Sequence, residues 1–197
     1  MSQIADIGNE ILSLQTALGL DNPGNYRPGL TQAELASCAL FRNVSEPSEL
    51  HDLFAWRNGT VENGIPMGRL WIKPGFYVLS SDDAVRENHY CSEHCDYWKS
   101  SWFPLLTNGA GGRHFYDIDK LIAGKACVMN FDTESQQIVN QMYDSIESML
   151  RTILTCYQSG AYFLALDGYL DSDFPREVTI SRNVNPHSDY WRRGDLF

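Results

Sequence analysis

The sequence predicts an α+β fold: a single domain with a central, mostly antiparallel twisted sheet and helices packed around it. Three observations carry this expectation. Apolar residues recur at helical spacing near both ends of the chain. Runs of strand composition, bounded by Gly, Asn and Lys turns, gather in the middle. Strands grouped in this way do not build an alternating βαβ sheet. The chain has 197 residues, the length of one domain. Its expected core spans residues 28–165, with the helix over 3–18 and the tail over 186–197 peripheral.

Ile4, Ile7, Ile11, Leu14 and Leu18 stand three or four apart and predict an amphipathic helix over 3–18, which Gly19 stops. Asn22-Pro23-Gly24 and Pro28-Gly29 make 21–29 a loop. Thr31-x-x-Glu34 is a capping box that opens a second helix bearing Leu35, Ala39 and Leu40. After a turn at Pro47, Leu50, Leu53, Phe54 and Ala55 define a third helix to Trp56, with Asn58-Gly59 as its left-handed C-cap. Prolines and glycines punctuate 64–80 and leave short strands such as Phe76 to Leu79. Ser81-Asp82-Asp83 opens a short helix, because acidic groups favour the positive end of the helix dipole.

Trp102 to Leu106, Arg113 to Asp119 and Ala126 to Phe131 are the expected central strands. Pro104 cannot donate to a ladder, which places the first of them at an edge or a bulge. Ala126-Cys127-Val128-Met129 is apolar on both faces, as in a central strand covered on both sides, although a short buried helix carries the same pattern. Asp144-x-x-Glu147 reads as a capping box, and Ile146, Met149, Leu150, Ile153, Leu154 and Tyr157 then form a wide apolar stripe that stops at Gly160. Apolar content continues through Ala161 to Leu166, 167–185 turns polar, and Val178 to Ser181 has strand composition.

Composition narrows the function. A hydrophobic fraction of 43% with 12% aromatics buries enough apolar surface to offset the ordering entropy of a folded chain. Fifteen Lys and Arg against 25 Asp and Glu give a net charge of −10, which repels a phosphate backbone and argues against direct nucleic-acid binding. Acidity keeps a protein in solution; it also suits a cationic partner. Asp6 and Glu10 stand where a secretory signal needs a basic segment and an apolar run, and no stretch approaches roughly 18 consecutive apolar residues. The expectation is a cytoplasmic protein with no membrane partner. Its five cysteines, odd in number and mostly in apolar patterns, read as reduced buried thiols.

Several constellations are candidates for chemistry. His89, Cys91, His94 and Cys95 are all metal-ligating types, but zinc needs four converging ligands and paired C-x-x-C knuckles, which this spacing lacks; they remain weak candidates, and no metal or other cofactor is expected. Tyr97 and Trp98 beside them read as packing or contact residues. Asn108-Gly109-Ala110-Gly111-Gly112 lacks the Gly-Lys-Ser/Thr and the helix of a phosphate loop and reads as a hairpin turn. Arg113 and His114 after it are candidates for weak anion contact. Asp117 and Asp119 alternate along a strand, which puts the carboxylates on one face about 6.5–7 Å apart, a spacing open to acid/base work but more often a solvated face. Asp167, Asp171 and Asp173 lack the pattern of a calcium loop. No Gly-x-Ser-x-Gly elbow or His-Glu-x-x-His pair occurs, and Cys38 and Cys127 sit in apolar patterns that make poor thiolates. The inventory reads as that of a binding protein and not of an enzyme.

Four blocks, in this order, resemble the SUKH superfamily, which includes a fungal cell-wall synthesis regulator and many bacterial immunity proteins. Pro28-Gly29-Leu30-Thr31-x-Ala33-Glu34-Leu35 begins a helix, and Glu49 to Gly59 resembles the family's second helix with its Asn-Gly turn. Trp102-Phe103-Pro104-Leu105-Leu106, the glycine run and Phe115-Tyr116-Asp117-Ile118-Asp119 resemble its Trp, apolar strand, Gly turn and Asp-terminated strand. Tyr143 to Leu150 resembles its closing helix. The likeness covers roughly residues 28–165; Arg113-His114 departs from the small polar residue usual after the glycines. It implies an α+β scaffold without settled catalysis, and an antitoxin that binds and blocks a cognate toxin, in many cases a nuclease. Expected contacts are Tyr97, Trp98, Arg113, His114, Asp117 and Asp119. The alternatives are a regulatory adaptor of the cell-wall regulator type and a metal-assisted hydrolase using His89 to Cys95.

Overall fold

An antiparallel sheet of five strands, in the order β3-β4-β5-β6-β7, forms the frame of the molecule. The computed structural model describes residues 2–20, 24–42, 44, 48–61, 64–132 and 137–193. Its elements run α1 (Gln3–Ala17), β1 (Tyr26–Pro28), α2 (Gln32–Ser37), α3 (Glu49–Trp56), β2 (Arg57–Thr60), β3 (Tyr77–Val78), α4 (Ser81–His94), β4 (Trp102–Thr107), β5 (Gly112–Asp117), β6 (Val128–Asp132), β7 (Gln137–Tyr143), α5 (Ile146–Ser159), β8 (Tyr162–Leu164), β9 (Leu170–Ser172), α6 (Phe174–Val184) and α7 (Asp189–Arg192). The pairs β1-β2 and β8-β9 make two small further sheets. Among the described residues no helix is long and apolar enough to cross a membrane.

The side-chain alternation of β5 divides the interior in two. His114 and Tyr116 point to the face where α1, α3 and α5 bury Ile7, Ile11, Leu50, Phe54, Leu150 and Ile153, and Arg113, Phe115 and Asp117 point to the face under α4. Under α4 a separate cluster holds Cys91, Trp98, Trp102, Phe115, Met129 and Phe131. Val128 belongs to the first cluster and its neighbour Met129 to the second, so these two residues of the doubly apolar run lie in an interior strand covered on both sides, which begins at Val128 and not at Ala126. Pro104 sits at a register shift between β4 and β5, the bulge its missing N–H requires.

Local signals set most helix ends. Thr31 and Glu34 form the expected capping box, and α5 ends on Gly160 at φ 72°, a backbone that favours glycine. The box that opens α5 lies one residue beyond the expected one, on Ser145 and Ser148, while Asp144 accepts from Gln141 Nε2 at 2.9 Å. Buried Glu49 of α3 accepts from the Ile146 and Glu147 amides at 2.9 and 3.4 Å, which ties two helices together. Gly59 has a positive φ of 79°, but it lies within β2 and not at a helix C-cap. There the backbone of Ser80 passes so close that a Cβ would stand 2.2 Å from its nitrogen.

Three expectations are overturned. The helix over 3–18 is not peripheral: Ile4, Ile7, Ile11 and Leu12 are buried in the main cluster, because the wide apolar stripe of α5 needs a partner helix to cover it. The described part of the tail, residues 186–193, is not peripheral either, since Trp191 of α7 is 1% exposed and packs against Tyr143, centroid to centroid 6.2 Å. Val178 to Ser181 is helix. Asp173 accepts from the Arg176 amide at 3.2 Å as N-cap, Pro175 occupies the first turn, and Glu177, Val178 and Ser181 then share a buried face, so capping and period outweigh the β-branched composition.

Candidate functional site

The cluster His89, Cys91, His94 and Cys95 does not converge. All but Cys95 lie on α4, which spreads them around its circumference. Cys91 is fully buried, and burial pushes its thiol up to about 12, so it stays protonated and is a poor metal ligand. His89 and His94 are exposed. His89 Nδ1 lies 3.6 Å from Glu93, and His94 stacks on Tyr90 with centroids 4.4 Å apart. Among the described residues no three His, Cys, Asp or Glu side chains gather as metal ligands do. The ligand set of a metal-assisted hydrolase is thereby dispersed.

Four of the six expected contact residues are interior. Trp98 is 8% exposed, its ring 5.5 Å from Trp102, 5.2 Å from Phe115 and 5.4 Å from Phe131. It anchors the turn after α4 and offers no outer surface. Arg113 is buried, donating through Nε at 2.8 Å and Nη2 at 2.6 Å to Glu87 Oε2, so its guanidinium is spent internally. His114 is buried on the opposite face of β5, stacked on Phe76 at 4.2 Å; burial first and then the Lys73 charge hold its pKa well below 6.5. Asp117 is 2% exposed and accepts from Trp102 Nε1 at 3.0 Å, Ser101 Oγ at 3.3 Å and the Asp119 amide at 3.2 Å. Asp119 is exposed on a 3₁₀ turn after the strand, so the two carboxylates do not share a strand face. The glycine run is the β4–β5 hairpin turn, in which Asn108 Oδ1 accepts from the amides of Ala110 and Gly112, each at 2.8 Å.

Exposed side chains gather along the end of α4 and the turn that follows it. Tyr90 is 53% and Tyr97 68% exposed, His94 lies against Tyr90, and Glu93 and Asp96 are exposed between them. This segment is fixed from behind. The Cys95 amide closes the helix on Cys91 O at 2.9 Å, the Trp98 amide bonds Cys95 O at 2.9 Å, and the Trp98 ring is held in the aromatic cluster. Tyr90 went unmarked in the sequence because α4 reads there as a short helix from Ser81, and its length fixes which residues reach solvent. No known family's sequence model matches the chain, and no curated protein is similar to it.

Proposed function

We propose that the chain is a non-catalytic protein-binding module, an immunity protein that binds and neutralises a toxin, with a nuclease of a bacterial polymorphic toxin system as the partner class. The observation that carries this reading is the pair of exposed tyrosines, Tyr90 and Tyr97, on a rigidly backed helix end. Tyrosine supplies a large amphipathic contact with only two side-chain torsions to freeze, and such anchors dominate interface energies. Glu93 and Asp96 among them, with the net charge of −10, suit a basic surface and raise the encounter rate. A nuclease cleft that holds phosphates is such a surface. The order of blocks similar to the SUKH superfamily supports the same class.

Co-expression with a toxin encoded immediately upstream of this chain's gene tests the proposal. Survival of the cells supports it; death with this chain in excess overturns it. A stoichiometric complex without protection would instead identify a regulatory adaptor.

A further inference from the structure

A second feature, independent of the partner surface, lies where the loop before β3 meets α6 and α7. A cleft of about 300 Å³ opens there, with Lys73, Phe76, His114, Glu177 and Trp191 in its wall. Its inner wall is unusually polar for its burial: Lys73 and Glu177 are each 4% exposed, and His114 and Trp191 1%. Lys73 Nζ bonds Tyr143 Oη at 3.2 Å and lies 3.5 Å from Glu177 Oε1, which accepts from Tyr162 Oη at 2.7 Å. This network is satisfied. His114 and Trp191 are not: the indole N–H is buried with no hydrogen-bond partner among the described residues, and the imidazole nitrogens, with the Asn130 side chain of the same wall beside them, make no hydrogen bond of good geometry. Buried polar groups left unpaired are costly, so three such atoms in one cleft wall point to something that pairs them.

The wall also defines what that is. Lys73 and Glu177 neutralise each other and Asp132 is already partnered, so among the described lining residues no surplus charge waits for an ion. The indole can only donate. A neutral imidazole donates at one nitrogen and accepts at the other, and here its ring stacks on Phe76, whose other neighbour is the Lys73 ammonium 5.3 Å from its centroid. An occupant must therefore accept two hydrogen bonds and donate one. The rings of Phe76, Phe174, Tyr190 and Trp191 line the space and favour a flat molecule. We propose that this cleft is a binding site for a small, uncharged, planar molecule that carries an amide edge, a carbonyl oxygen beside an N–H. The volume fits one ring with its substituents.

The test uses the full chain labelled with nitrogen-15 and follows the Trp191 indole N–H and the His114 ring signals during titration with nicotinamide and with uracil, acetate and methylammonium serving as charged probes. Saturable shifts of both residues with an uncharged amide, at the millimolar affinity expected of a molecule this small, and loss of the His114 shift in Trp191→Phe support the site. Shifts with acetate or methylammonium alone overturn the uncharged class. Absence of saturable shifts with every probe leaves water as the only occupant and overturns the site; that outcome is read on the unsubstituted chain and does not depend on a variant folding.

Discussion

Acidification should destabilise this protein through His114, and the size of the effect follows from its surroundings. The imidazole is 1% exposed, stacked on Phe76 at 4.2 Å and edge-on to Tyr143 at 6.0 Å, with Lys73 as the nearby cation. Burial and the Lys73 charge hold its pKa well below 6.5. The unfolded chain binds a proton near 6.5 that the folded chain refuses. Stability from this group is therefore complete above that value and falls as pH drops toward the depressed folded pKa. The slope for one proton reaches at most about 1.4 kcal/mol per pH unit, so each unit below 6.5 over which the folded imidazole stays neutral removes up to about that much. For a chain of this size that is a fall of up to roughly 3–6 °C in melting temperature per pH unit. His114→Phe keeps a ring against Phe76 and removes the titration. Glu49, whose pKa burial raises, and Glu34 and Glu147, whose carboxyls are held below their ordinary value, are common to both proteins and cancel in the difference. Urea denaturation of the two proteins across this range should show the variant gaining on the parent as pH falls. Parallel stability curves would refute the reasoning.

Two further perturbations follow. Lys73→Met strands the Glu177 carboxylate in the interior and should cost about 3–5 kcal/mol, whereas Lys73→Met with Glu177→Gln, which still lets Tyr162 donate, should cost less than the single change; denaturant melts showing the double variant to be the less stable would contradict the buried pair. Gly59→Ala places a methyl 2.2 Å from the Ser80 nitrogen at a φ of +79° and should cost roughly 2–5 kcal/mol, while Gly75→Ala, at a similar φ of +80° with open space around it, should cost only about 1 kcal/mol by the same thermal assay.

Much of the fold is legible in the chain because its signals are local. The stripe from Ile146 to Tyr157 and its Gly160 stop, the Thr31 and Glu34 capping box, and the glycine hairpin before Arg113 each need only neighbours in sequence to be read. Pro104 forecasts its own bulge. What escapes depends on partners distant in sequence. Val178 to Ser181 resembles a strand until the Asp173 cap and the buried face of Glu177 and Ser181 are weighed together. Gln137–Tyr143 becomes a strand by pairing with β6. Trp98, beside an exposed Tyr97, gives no sign in its own neighbourhood that Phe115 and Phe131 enclose it. The candidate sites follow the same division. Residue types drew attention to His89, Arg113, His114 and Asp117, but only the assembled sheet decides that Arg113 is spent on Glu87 and that His114 stacks on Phe76 near Lys73. Tyr90 emerges once the full length of α4 is known.

The central claim, that the end of α4 carries toxin binding, is tested most directly by titrating the purified cognate toxin with this chain and with the Tyr90→Ala, Tyr97→Ala double variant. Both tyrosines are exposed, so the variant should keep its melting behaviour within about 0.5 kcal/mol. If the two act as interface anchors, its inhibition constant should rise about 100-fold or more. Inhibition of equal strength by the double variant would contradict the claim.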